Sequence, residues 1–176
     1  MRKNSVFCYN KEKRLVLNRG VNMADFRSSA IIHKPVKEVF QYMAGMENVH
    51  EVMPVVAKME KLTDGEIGKG TKFKETRNVR GKEIFAEVEY IQYEENHSFT
   101  SRSNSNGLIV EYKYVFHEIE EGTQVELEAF VKTSGLRMKL TRPMIVKMIR
   151  QEDGYQLENL KNMLESETEE TSDLQL

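Results

Sequence analysis

Residues 108–133 read LIVEYKYVFHEIEEGTQVELEAFVKT, and their apolar side chains recur at every second position. This period of two is typical of a strand with one buried face, because successive side chains of a strand point to opposite faces of the sheet. Glu121-Gly122 interrupts the alternation and is a hairpin signal. The stretch therefore predicts two antiparallel strands that bury one shared face. The apolar positions are Leu108, Val110, Tyr112, Tyr114, Phe116, Val125, Leu127, Ala129 and Val131.

Elements on both sides of this hairpin follow from the same kind of pattern. Before it, short turns separate four more alternating segments, which predicts six consecutive strands. Further upstream we predict a first strand and two short helices, the first helix beginning at Pro35, which lacks an N–H and fits a first helical turn. After the hairpin, helical spacing predicts one long helix from about Met138 or Pro143 to Leu164. The upstream segments are 26–33, 35–45, 47–53, 55–62, 71–79, 82–93 and 98–103.

This order of elements predicts an α+β fold. Short loops make neighbouring strands antiparallel, and a one-sided apolar pattern means that one sheet face packs while the other meets water. We expect a curved antiparallel sheet of about seven strands, in the order β-α-α-β6-α, around the long C-terminal helix, with an internal cavity. Gly154 in the middle of that helix costs roughly 1 kcal/mol relative to alanine. We expect it to permit close approach of the sheet backbone.

Three segments carry a resemblance to a known superfamily: residues 30–40 (AIIHKPVKEVF), 65–73 (GEIGKGTKF) and 157–161 (LENLK). With the element order, over about residues 24–165, they make the chain similar to the SRPBCC (START-like) superfamily. That superfamily includes polyketide cyclases, lipid-transfer domains and birch-pollen-allergen-like proteins. The resemblance implies a helix-grip fold with a cavity for an apolar or amphipathic small molecule. Many relatives have a tryptophan after the first helix, whereas this sequence contains none.

Residues 71–79 hold the polar groups most suggestive of a site. If Phe73 faces inward, the period of two also turns Glu75 and Arg77 inward. Such a pair orients a polar ligand group or serves as acid and base in a cyclase. The alternative is a half-solvated pair near the open edge of the sheet. Side by side, Glu75 and Arg77 are expected to hold each other in the charged state.

Aromatic and methionine side chains complete the predicted ligand site. Rings supply contact area and hydroxyl groups supply orientation, while methionine adapts to varied partners. The alternative for these residues is plain core packing. We expect eight of them to line one hollow between sheet and helix: Phe73, Tyr90, Phe99, Tyr112, Tyr114, Leu127, Met144 and Met148.

Composition excludes several classes of function. The chain has 176 residues with 26 Lys+Arg against 28 Asp+Glu, and no basic block such as a nucleic-acid binder needs. No apolar run approaches the ~18 residues of a transmembrane helix. The four histidines show no paired metal spacing, and no phosphate-binding glycine motif is present, so we predict no metal and no cofactor. The single cysteine, Cys8, permits no internal disulfide and favours a cytoplasmic location.

The ends of the chain differ in charge. Residues 1–22 carry six basic residues and one acidic residue, and residues 165–176 carry five acidic and no basic residues. We predict an N-terminal extension at 1–22, a domain at 23–165 and an acidic tail at 166–176. One hypothesis is that Met23 is the true initiator and that the extension is a mis-assigned start.

These patterns favour a non-catalytic binder or carrier of a hydrophobic or amphipathic small molecule, and we assign no catalytic residue. An alternative is an enzyme of the polyketide cyclase/aromatase type that uses Glu75, Arg77 and a tyrosine. A third class is a protein-interaction module related to co-chaperone activators of this fold. The sequence does not identify the ligand or the oligomeric state.

Overall fold

The structure, a computed structural model, describes residues 23–79 and 81–173, with side chains described as far as residue 166. Within these ranges the chain forms seven strands and four helices. The strands are β1 (Phe26–Ile32), β2 (Val56–Lys61), β3 (Lys72–Val79), β4 (Lys82–Glu94), β5 (Ser98–Ser105), β6 (Leu108–Ile119) and β7 (Gly122–Thr133). The helices are α1 (Val36–Gly45), α2 (Val49–Val52), α3 (Leu136–Asp153) and α4 (Gln156–Asp173). The predicted extension, with Cys8 and the question of the initiator, lies outside the described residues.

The strands form one antiparallel sheet in the order β1-β7-β6-β5-β4-β3-β2. The hairpin of β6 and β7 pairs Tyr114 with Leu127 and Phe116 with Val125. β1 joins the other side of β7, where Gly122 has φ 136° and a Cβ there would lie 2.3 Å from the carbonyl oxygen of Ile32. The predicted α+β architecture, a seven-stranded antiparallel sheet with a C-terminal helical segment, is confirmed.

The core lies between the concave face of this sheet and the helices. Leu157, Leu160 and Leu164 of α4 are buried, and so is Phe40 of α1. The Phe40 ring packs edge-on against Phe116, with centroids 5.1 Å apart. An amide hydrogen bond of 2.9 Å from Asn159 Nδ2 to the carbonyl of Val52 ties α4 to α2. The sheet therefore grips α4, and α1 with α2 closes one end.

The C-terminal helix departs from its prediction, because it consists of two helices separated at Gly154-Tyr155. A Cβ on Gly154 would lie 2.3 Å from the carbonyl oxygen of Arg150, and its nearest neighbours all belong to that residue. The expectation that Gly154 lets the sheet approach is therefore wrong. Glycine is needed here because a side chain would collide with the preceding helical turn.

Candidate functional site

Strand β3 carries the first two members of the site. Glu75 and Arg77 lie on the same inward face, where their side chains are 4% and 18% exposed. Arg77 Nε donates a hydrogen bond of 2.9 Å to Glu75 Oε1. β3 lies between β2 and β4 and is not an edge strand. The half-solvated edge arrangement that the sequence left open is therefore not the one observed.

Helix α3 supplies a third member that the sequence analysis missed. Asp153 is 1% exposed, and Arg77 Nη1 donates to both its carboxylate oxygens at 3.0 Å each. Tyr112 Oη donates to Asp153 Oδ2. One signal was available, because Asp153 stands four residues after Ile149 and four before Leu157, in the apolar stripe of the helix. A carboxylate in such a stripe must find a partner when it is buried.

A second polar link lies beside this cluster. Tyr114 Oη donates to Gln156 Oε1, and Gln156 Nε2 donates to the backbone carbonyl of Asp153 at 2.9 Å. Gln156 is the first residue of α4, so these bonds fix the helix break against the middle of the sheet. We refer to Glu75, Arg77, Tyr112 and Asp153 below as the polar cluster.

Two carboxylates and one guanidinium meet in this buried cluster, so ionisation of all three groups leaves one excess negative charge. Burial raises the pKa of Glu75, and the opposing charge of Arg77 offsets this only in part. Burial alone would lower the pKa of Arg77, but the charges of Asp153 and Glu75 outweigh it and raise that pKa. The charge of Arg77 lowers the pKa of Glu75, as expected of such a pair, but desolvation of the carboxylate is the larger effect and the net shift of the pKa is upward.

The tyrosines of the site remain hydrogen-bond donors. Burial raises the pKa of Tyr112 well above its ordinary value, and the neighbouring Asp153 raises it further. The pKa of Tyr114 shifts in the same direction for the same two reasons. At neutral pH both hydroxyls are therefore protonated.

A cavity of about 110 Å³ lies between the polar cluster and the C-terminal half of α3. The cluster residues Glu75, Arg77, Tyr112 and Asp153 form one part of its lining. The apolar part of the lining comes from both sheet and helix: Val79, Ile84, Ala86, Leu108, Val110, Met148 and Ile149. A smaller space of about 20 Å³ shares Glu75, Arg77 and Tyr112, and is also lined by Tyr114 and by Met46, Met53 and Met59. Ser103, Ser105 and Glu152 also line the larger cavity, so a molecule there would meet apolar walls, the polar cluster and these three polar side chains.

The predicted site residues divide into three groups. Glu75, Arg77, Tyr112 and Met148 line the larger cavity, and Tyr114 lines the smaller space. The core holds Phe73, Tyr90, Phe99 and Leu127, all of them buried. Met144 is 69% exposed.

The expectation that eight side chains line one hollow is therefore wrong. The ring of Phe99 stacks on Tyr114 with centroids 4.6 Å apart and lies 5.0 Å from Tyr90. Phe73 lies 5.4 Å from Tyr90, so the aromatic side chains occupy the space that they were expected to enclose. Met144 does not line the hollow for another reason, since it lies on the outer face of α3.

Neither metal ligation nor a membrane span is indicated by the described part of the chain. Residues 23–79 and 81–166 contain no group of three or more His, Cys, Asp or Glu side chains placed to hold a metal ion. None of the helices described is long and apolar enough to cross a bilayer.

An antiparallel sheet that grips a C-terminal helix, with a polar cluster beside a cavity, defines a helix-grip protein. Comparison with known proteins agrees, since a family model for polyketide cyclase / dehydrase and lipid transport matches residues 23–165. The chain belongs to this family, which confirms the resemblance in its sequence.

Solved structures with similar folds are distant in sequence. Ara h 8.0201 has a TM-score of 0.61 and 16% identity, over 80% of this chain and 97% of that one. TTHA0849 from Thermus thermophilus has a TM-score of 0.62 and 18% identity, over 80% and 96%. The di-domain ARO/CYC StfQ from the steffimycin biosynthetic pathway has a TM-score of 0.68 and 11% identity, over 81% of this chain and 51% of that one. Among curated proteins no match was found.

Proposed function

We propose that this protein binds a hydrophobic or amphipathic small molecule in the cavity beside the polar cluster, without catalysing its conversion. The observation that carries the proposal is the lining of the 110 Å³ cavity, which joins apolar walls to the Arg77–Asp153 ion pair. Small-molecule sites have this composition, in which apolar area supplies affinity and a few polar groups fix orientation.

The size of the cavity sets a condition on binding. Drug-sized ligands occupy sites of roughly 300–1,000 Å³, so anything larger than a single small ring requires the cavity to open. Helix α3 is the wall best able to move, because Ile149 and Asp153 are its only fully buried residues. The Arg77–Asp153 ion pair holds this wall against the sheet at 3.0 Å. A ligand with a polar head that replaces Asp153 at Arg77 would free the C-terminal end of α3, while the Arg142–Asp25 ion pair still holds the middle of the helix.

The polar cluster favours orientation over catalysis. Its tyrosines are poor acids at neutral pH, because burial raises their pKa values. Its arginine stays protonated, since the two adjacent carboxylates raise the pKa of that guanidinium. No activated nucleophile lies among the four residues of the cluster.

A cyclase or dehydrase is the second candidate, and one observation favours it. Glu75 lines the cavity with a pKa raised by burial, as a general acid or base at neutral pH requires. The family description also includes cyclase and dehydrase activity. The two candidates differ in what happens to a bound molecule.

Native mass spectrometry of protein purified from its own host under non-denaturing conditions tests the proposal first. A binder retains a small molecule that is recovered unchanged after incubation with both the wild type and Glu75→Gln. Loss of water or ring closure in the wild type alone, abolished by Glu75→Gln, would establish the enzyme instead.

A fluorescent probe, N-phenyl-1-naphthylamine, locates the site independently. Met148 lines the cavity, whereas Met144 lies one helical turn earlier and is exposed. Met148→Trp fills the cavity and is expected to weaken probe binding at least tenfold, a loss of about 1.4 kcal/mol. The matched control Met144→Trp should leave binding unchanged. Equal effects of both substitutions, or sensitivity to Met144→Trp alone, would place the probe on the surface and contradict the proposal.

A further inference from the structure

The outer face of α3 presents apolar side chains where a surface helix normally presents polar ones. Leu136 and Leu140 are each 77% exposed and Met144 is 69% exposed. Their spacing of four residues places them in one line along the helix. We call these three residues the α3 stripe.

Positive charge flanks the α3 stripe. Residues 136–151 contain five basic and no acidic residues, although the whole chain has a net charge of −2. Arg142 pairs with Asp25 at 2.6 Å, and Arg150 donates to the backbone carbonyl of Asp25. Within the described part of the chain, Arg137, Lys139 and Lys147 take part in no ion pair. As far as the described residues are concerned, these three cations are available to an external partner.

Helical geometry puts the free cations beside the stripe. At about 100° per residue around the helix axis, Lys147 points in the direction of the stripe and follows Met144 along the axis, while Lys139 and Arg137 project on opposite sides of the stripe. An apolar line bordered by lysine and arginine is the pattern of a helix that lies in the plane of a membrane interface. The apolar groups enter the acyl boundary and the cations meet anionic headgroups.

We infer that α3 docks this protein reversibly on an anionic lipid surface, with the α3 stripe inserted at the headgroup boundary. Charge complementarity selects this occupant, because the side chains around the stripe are cationic on both flanks. The inference does not depend on what the internal cavity binds, since none of the three stripe residues lines it.

Co-sedimentation with vesicles tests the inference on the full chain. The probes are vesicles of equal parts phosphatidylglycerol and phosphatidylcholine, compared with vesicles of phosphatidylcholine alone. The wild type is expected to bind the anionic vesicles and to be released by salt, because screening weakens surface electrostatics. Equal binding to both vesicles, or to neither, would overturn the inference.

Three variants separate the contribution of the apolar stripe to vesicle binding from that of the cations. Leu136→Gln/Leu140→Gln/Met144→Gln removes the stripe and should lower partitioning at least roughly tenfold. Arg137→Gln/Lys139→Gln/Lys147→Gln should lower it by roughly fivefold per charge. The control Leu62→Gln/Phe85→Gln changes two other exposed apolar residues outside α3 and should bind like the wild type. Glutamine preserves helix propensity, and circular dichroism verifies the fold of each variant.

Two further outcomes would contradict docking of the α3 stripe on a lipid surface. If the stripe variant binds vesicles as the wild type does, the α3 stripe is not the docking element. If sedimentation equilibrium shows a dimer that the stripe variant loses, and vesicles do not bind, the stripe is an interface between two copies of the chain. Either result overturns the inference.

Discussion

Removing the guanidinium of the polar cluster is the sharpest test of the buried electrostatics. Arg77→Met keeps much of the side-chain volume but leaves Glu75 and Asp153 without their shared positive charge. It also removes one hydrogen bond of 2.9 Å and two of 3.0 Å. Breaking a buried ion pair by deleting one partner typically costs about 3–5 kcal/mol.

Protonation sets a ceiling on this cost. A carboxyl group with an ordinary pKa of 4.5 can be neutralised at neutral pH for about 3.4 kcal/mol. At a separation of about 6 Å, two carboxylates would repel by about 3 kcal/mol at an effective dielectric constant of about 20. We therefore expect Arg77→Met to lower the free energy of unfolding by about 3–4 kcal/mol.

A second substitution isolates the charge effect from lost packing. Adding Glu75→Gln to Arg77→Met removes one of the two facing carboxylates, and should restore about 2 kcal/mol. Glu75→Gln alone should stay within about 1 kcal/mol of the wild type, because the glutamine oxygen still accepts from Arg77. Urea unfolding followed by circular dichroism measures all four proteins. A loss below about 1 kcal/mol for Arg77→Met, or no recovery in the double variant, would refute the electrostatic reasoning.

Three further predictions follow from the same structure. Because burial raises the pKa of Glu75 above 4.5 in the folded state, its contribution to stability is present at low pH and lost as pH rises through the folded pKa. The free energy of unfolding of Glu75→Gln minus that of the wild type should thus increase as the pH rises above 4.5. A difference that does not change with pH would contradict the burial effect. Gly154→Ala should lower the free energy of unfolding by about 1 kcal/mol or more. The control Gly45→Ala places its new Cβ where no atom lies within 4 Å, and it should raise the free energy of unfolding by about 0.4–1 kcal/mol. Thermal unfolding of the two variants measures the difference. Phe99→Ala truncates a core side chain and should lower the free energy of unfolding by about 3–5 kcal/mol. Phe85→Ala, at an exposed position, should lower it by less than about 0.5 kcal/mol. Equal urea midpoints for the two variants would show that Phe99 does not belong to the core.

The fold was accessible from sequence because each of its signals is local. The period of two in residues 108–133 and the turn at Glu121-Gly122 place β6 and β7 within one or two residues of their observed ends. The break in the C-terminal helix was not accessible, since Gly154 has ordinary helical dihedral angles. A Cβ at Gly154 would meet the carbonyl oxygen of Arg150, a close approach that only coordinates reveal.

The site was predicted less well than the fold, for a physical reason. Alternation assigned Glu75 and Arg77 to the inward face, but it gives no information on what fills the space opposite. Phe99 and Tyr114 belong to one face by pattern, and only packing decides whether such rings enclose a hollow or stack on each other. Asp153 reaches Arg77 from 76 residues away in the chain, a contact that no local pattern encodes.

The helix break at Gly154-Tyr155 makes α3 an arm that is separate from α4. Eighteen residues at a rise of about 1.5 Å each give an arm of about 27 Å, so a rotation of about 10° at its base would carry its far end through about 5 Å. Asp153 lies at the base of this arm and Leu136 at its far end. The Arg142–Asp25 ion pair of 2.6 Å lies along this arm, so a rotation of the whole arm would have to break that pair. In mechanical terms, one arm runs from Asp153, which is buried inside the protein, to Leu136, which is exposed on its outer surface.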